Sequence, residues 1–91
     1  MIFARSLQGH DKGSLYLVIE KKDSQVILAD GKYHTLDKPK KKNPKHIQVI
    51  KDVPDEVIAE NDKFEKLTNE RVAFLIKKYK AVKNLPTTEE E

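Results

Sequence analysis

Arg5-Ser6-Leu7-Gln8-Gly9-His10-Asp11-Lys12-Gly13-Ser14-Leu15-Tyr16-Leu17-Val18-Ile19-Glu20 is the stretch whose reading decides the fold. Gly9 and Gly13 sit in a polar turn, and an apolar strand opens at Leu15. Glycine enters positive φ without a steric penalty, so a Gly-x-x-x-Gly turn folds tightly and brings backbone N–H groups to the surface. In the strand, Leu15, Leu17 and Ile19 alternate with Tyr16 and Val18. Successive side chains point to opposite faces, so both faces carry apolar groups. A strand of this kind is covered on both sides, as in a small barrel.

Working outward, Ile2 to Ser6 reads as a first strand and Leu15 to Glu20 as the second. A polar turn, Lys21 to Ser24, leads into a β-branched third strand, Gln25 to Ala29. Asp30-Gly31 is the strongest hairpin signal, because a two-residue turn with positive φ favours this pair. Lys32 to Leu36 is therefore expected to return as a fourth strand. Asp37 to His46 holds two prolines and five lysines in ten residues, which predicts an exposed extended loop rather than helix or central strand. Ile47 to Ile50 closes the set. Five short strands with turn signals between them predict a small barrel of the SH3-like or OB type.

Beyond Asp52 the period changes. Pro54, Asp55 and Glu56 suit a helix first turn and its dipole, so a short helix is expected to about Lys66, with Val57, Ile58 and Phe64 as a thin apolar stripe. Thr68 can cap a second helix, with Leu67 stapled on Val72. Val72, Leu75, Ile76 and Tyr79 follow i, i+3, i+4, i+7, and Lys77, Lys78, Lys80 and Lys83 crowd the end where cations belong. This predicts a helix from Asn69 to about Val82 that buries the stripe on the barrel, the favoured surface, or on a partner. The expected fold is mostly β with α: an SH3-like barrel over 1–53, a helical extension over 54–85 and a disordered acidic tail over 86–91.

A chain of 91 residues can bury roughly 60–65% of its unfolded surface, so the core is modest. Apolar and charged residues are nearly balanced, at 37% and 36%. The lack of cysteine excludes disulfides, thiolate metal sites and cysteine nucleophiles, and fits a reducing compartment. No apolar run reaches membrane-spanning length and the first residues lack a signal-peptide pattern, so the expectation is a cytoplasmic protein without a membrane partner. The net charge of +3 is uneven: residues 1–53 carry +5 and residues 54–91 carry −2. A basic front half points to a polyanion. Sixteen of the eighteen basic residues are lysine, a point charge better suited to phosphate contact than to base reading.

A catalytic reading would use His10, Asp11 and Ser14, or His34 and His46. His10 and Asp11 are adjacent, so their side chains diverge, and no glycine elbow presents Ser14 as a nucleophile. Three scattered histidines without His-x-x-x-His spacing make a poor metal site. Neither an enzyme nor a cofactor is expected. A polyanion instead needs cations spread along its backbone and N–H donors for its phosphates. The lysine loop supplies the first and the glycine turn can supply the second. Tyr33 and His34 offer base stacking, although cross-strand packing is the favoured reading for them. Tyr16, Phe3 and Phe64 read as core.

The run Gln8 to Ile19 around Gly13, followed by Val26-Ile27-Leu28-Ala29-Asp30-Gly31-Lys32, resembles a KOW motif. With Leu36 to Ile47 and its lysines, and less specifically Lys66-Leu67-Thr68-Asn69, the chain is similar to short stand-alone bacterial KOW-domain RNA-binding proteins, akin to a KOW family of large-subunit ribosomal proteins. The resemblance implies an SH3-like barrel that contacts ribosomal or other structured RNA, with ribosomal proteins as further partners and a monomer when free. The shortage of arginine departs from many ribosomal relatives. The expected RNA contacts are Gly9, His10, Lys12, Gly13, Lys32, Tyr33, Lys38, Lys40, Lys41, Lys42 and Lys45. Two other classes stay open: an SH3-like protein-interaction domain, for which the chain is poor in aromatics, and a non-specific DNA-binding protein using the lysine loop alone.

Overall fold

The structure, a computed structural model, describes residues 1–85; the expected acidic tail, 86–91, lies outside the described residues. Five strands form one antiparallel sheet: β1 (Phe3–Ser6), β2 (Leu15–Lys21), β3 (Val26–Ala29), β4 (Lys40–Lys42) and β5 (Ile47–Ile50), in the spatial order β4-β3-β2-β1-β5. Two helices follow, α1 (Asp55–Asp62) and α2 (Asn69–Val82). The architecture is mixed α/β: α2 runs for 14 residues and the longest strand for 7. β4 and β5 occupy opposite ends of the strand order, so the sheet is not closed into a barrel.

The two-faced strand does have two cores. On one side Phe3, Leu15, Leu17 and Ala29 meet Val57 of α1 and Val72, Leu75, Ile76 and Tyr79 of α2. Phe3 and Tyr79 stack with ring centroids 4.8 Å apart, which ties β1 directly to the last helix. On the other side Ala4, Tyr16, Val26, Leu28 and Ile47 cluster with Val18 and Val49. Side chains of β3 and β5 belong to this one cluster although β2 and β1 lie between them, so the sheet curls around it. Ile19 does not join its expected face. The β2–β3 register shifts between Val18 and Glu20, and the extra residue at this bulge, Ile19, is exposed.

The fourth strand lies elsewhere than the sequence pattern placed it. Asp30-Gly31 does not turn a hairpin into Lys32–Leu36; that segment is a loop, and β4 is formed inside the lysine-rich stretch. The reason is local. The Asp30 carboxylate accepts hydrogen bonds from the N–H groups of Lys32, Tyr33 and His34, at 2.9, 2.9 and 2.8 Å. These amides are thereby turned inward on the loop rather than outward to a ladder. The lysines then pair with β3 as an edge strand of three residues, where their charge discourages addition of another strand. Pro44–His46 forms a single 3-10 turn capped by Asn43.

Of the helices, α2 has the bounds its periodicity predicts. Thr68 Oγ1 accepts from the Arg71 N–H at 3.2 Å. At its end Asn84 takes φ +60, with Leu85 N–H donating to Lys80 O and Asn84 N–H to Ala81 O, a left-handed C-terminal closure. The first helix is shorter than expected and stops at Asp62; Val57 is buried while Ile58 is exposed.

Candidate nucleic-acid interface

The glycine turn and the lysine strand meet at Asp11. Gly9 and Gly13 hold φ of +94 and +92, the left-handed region open to glycine. The turn closes on itself: Gly13 N–H donates to Ser6 O, Ser14 N–H to Asp11 O and Lys12 N–H to Gly9 O. Those amides are therefore spent on folding, and the expected phosphate-binding N–H groups are not offered at Lys12, Gly13 or Ser14. What the turn presents instead is side chains. His10 and Lys12 are exposed, and Asp11 points back toward the sheet.

Asp11 gathers four partners. Ser6 Oγ and Lys42 Nζ donate to its Oδ1, at 2.9 and 2.6 Å, and the Tyr16 hydroxyl donates to Oδ2 at 2.7 Å. Lys40 Nζ stands 3.8 Å from Oδ2. Lys42 also donates to Gln8 O at 2.9 Å, which fastens β4 to the backbone of the turn. Burial of Asp11 opposes its charge, but the hydrogen bonds from Lys42, Tyr16 and Ser6 and the nearby Lys40 charge outweigh it and hold the carboxyl well below the usual range. Burial, and then the bond to Asp11, push the Tyr16 hydroxyl up in turn.

The strand register explains which lysines turn inward. Val26 lies opposite Lys42, Ile27 opposite Lys41 and Leu28 opposite Lys40. Directly opposed residues share a face, so Lys40 and Lys42 follow Val26 and Leu28 toward the curled core and end at Asp11 on its rim. Lys41 takes the other face and is exposed, as are Lys38 and Lys45. The five lysines expected to act alike thus divide into two that hold the turn on the sheet and three that meet solvent.

The remaining candidates, Lys32 and Tyr33, ride the Asp30–Leu36 loop. Tyr33 is 68% exposed, with Lys32 Nζ 5.3 Å from its ring centroid. The favoured cross-strand role for Tyr33 does not arise, since the loop is not a strand. His34 turns inward and meets the Tyr16 ring edge-on at 5.9 Å. A line of direct contacts therefore runs from the loop through His34 and Tyr16 to Asp11 and the lysine strand. The other flank of the loop rests on α2. Leu36 N–H donates to Asn69 Oδ1 at 2.7 Å, and a Cβ on Gly31 would overlap Asn69 O and come within 2.8 Å of Ala73 N.

Sequence reasoning missed Asp11 as a clamp, Asp30 as a loop organiser and Gly31 as a contact with α2. The i, i+2 spacing of Lys40 and Lys42 did carry part of the first signal, since it places both on one face of any strand. Among the described residues no group of His, Asp or Glu is placed to hold a metal, and no helix is long and apolar enough to cross a membrane. No family model matches the chain, and no curated protein matches it in sequence.

Proposed function

We propose that this chain is a non-catalytic RNA-binding module of the KOW kind, with an SH3-like curl to its sheet, that contacts ribosomal or other structured RNA. The observation that carries the reading is the clamp at Asp11, which fixes a positive-φ glycine turn against a lysine strand. Lys12, Lys38, Lys41 and Lys45 are exposed on the turn, on the strand and beside it. Such an array suits a phosphate backbone, because point charges distributed over a rigid surface release counterions without demanding base identity. Lys40 and Lys42 support the surface by holding it together.

Fluorescence titration of a structured RNA hairpin, a duplex DNA and a proline-rich peptide tests the class. The hairpin should bind most tightly, with log affinity falling linearly against log salt. The triple variant Lys38→Ala, Lys41→Ala, Lys45→Ala should flatten that slope by about 2 to 3 while folding normally. Equal affinity for duplex DNA would favour the non-specific DNA reading, and peptide binding alone would favour a protein-interaction domain. An unchanged slope in the folded triple variant removes these lysines from the interface.

A further inference from the structure

Tyr33 is the most exposed of the large apolar side chains, and yet the loop carrying it is fastened on several sides. Asp30 collects three of its amides, Gly31 lies against α2, Leu36 is bonded to Asn69, and His34 packs on Tyr16. A ring this open adds little to folding. A rigid loop that displays it meets the main requirement for stacking, since little conformational freedom is lost when a flat partner arrives. Lys32 Nζ stands over one face of the ring, 5.3 Å from its centroid, and brings a cation to where the phosphate of a nucleotide stacked on the ring needs one.

The other aromatic rings limit what could stack. Phe3, Tyr16 and Tyr79 are buried. Phe64 and Phe74 lie edge-to-face with each other on the helical side, with Arg71 over Phe64. Proteins that follow a single strand use a succession of aromatic platforms. Here the loop beside the lysine strand offers one. Paired RNA is held through its phosphates and shape, while an unpaired base is taken on an aromatic face.

We propose that Tyr33 is the platform for one unpaired base, and that the RNA this protein takes is a duplex interrupted by a single bulged or looped-out nucleotide. The inference rests on the RNA-binding reading above and names the class of RNA. The lysines hold the flanking paired phosphates, and Tyr33 takes the base that pairing leaves out.

Two hairpins test it, one fully paired and one with a single unpaired adenine in the same stem, each titrated by fluorescence anisotropy. The bulged hairpin should bind about ten-fold more tightly, the usual worth of one stacked base. Tyr33→Ala should abolish that preference, so that the two hairpins bind the variant alike; Tyr33→Phe should retain it. A 2-aminopurine placed at the bulge should be quenched by the wild-type protein and not by Tyr33→Ala. Thermal melting equal to wild type will show the variant folded, as expected for so exposed a side chain. Equal wild-type affinity for the two hairpins overturns the proposal, as does a preference that survives Tyr33→Ala. Tighter binding of an unstructured single strand overturns the choice of class. Binding to neither hairpin at low salt is a separate result that sinks the RNA reading itself.

Discussion

The two sides of the sheet are held by different physics. The helix-covered side is closed by apolar burial: Phe3, Leu15 and Leu17 below, Leu75, Ile76 and Tyr79 above. The curled side has its own smaller apolar cluster, but its rim is closed by charge, with Asp11 drawing the glycine turn and β4 together. Apolar contact is non-directional and tolerates small shifts; a charged hydrogen-bond cluster fixes specific atoms in specific places. The difference suggests a division of labour, in which the first side supplies stability and the second holds a surface in shape.

Four substitutions probe that division, and the largest effect belongs to the helix side. Leu75 is fully buried, so Leu75→Ala should cost about 2–5 kcal/mol in chemical denaturation. A loss under 1 kcal/mol would mean that α2 does not hold the sheet. The glycines give a sharper contrast. Gly13 and Gly31 both take positive φ, but a Cβ on Gly13 meets nothing within 4 Å, whereas one on Gly31 runs into the backbone of α2. Gly31→Ala should therefore cost about 1–3 kcal/mol or more through strain plus displacement of the loop, and Gly13→Ala only about 1 kcal/mol of strain. Equal midpoints for the two variants would show that the loop is not wedged against the helix.

The most specific shift concerns Asp11. Its folded carboxyl lies below the ordinary range, so the stability it contributes is complete above the unfolded value of about 4 and is lost as pH falls toward the folded one. Asp11→Asn should lower stability at neutral pH by about 1–3 kcal/mol and flatten the acid limb of the stability curve. An acid limb identical to wild type would place the titrating group elsewhere. The helix-side variants should leave that limb unchanged, which separates the two closures in one set of denaturation curves.

Legibility from sequence followed the range of the forces. The α2 stripe of Val72, Leu75, Ile76 and Tyr79 and the Thr68 cap are local, and their reading agrees with the structure at both ends of the helix. The strands before Asp30 and after His46 are also legible from their apolar and β-branched residues, apart from the bulge at Ile19. The segment from Asp30 to Lys42 was misread because its pattern pointed one way and a side chain another. Asp-Gly promised a hairpin, but the Asp30 carboxylate captured the amides that a ladder would have used.

By itself the sequence determined the elements whose periodicity is set by burial, the positive-φ glycines and the concentration of lysine in the front half of the chain. Only the tertiary structure decided how the sheet's edges end, which lysines turn inward, and what Asp11 and Gly31 touch. Helical and strand periods are written in residues a few positions apart, so elementary geometry recovers them. Lys42 and Asp11 are 31 positions apart, and Leu36 and Asn69 33. No local pattern encodes such a meeting: the first exists because β4 pairs with β3 in one register, and the second because α2 packs on the opposite side of the sheet.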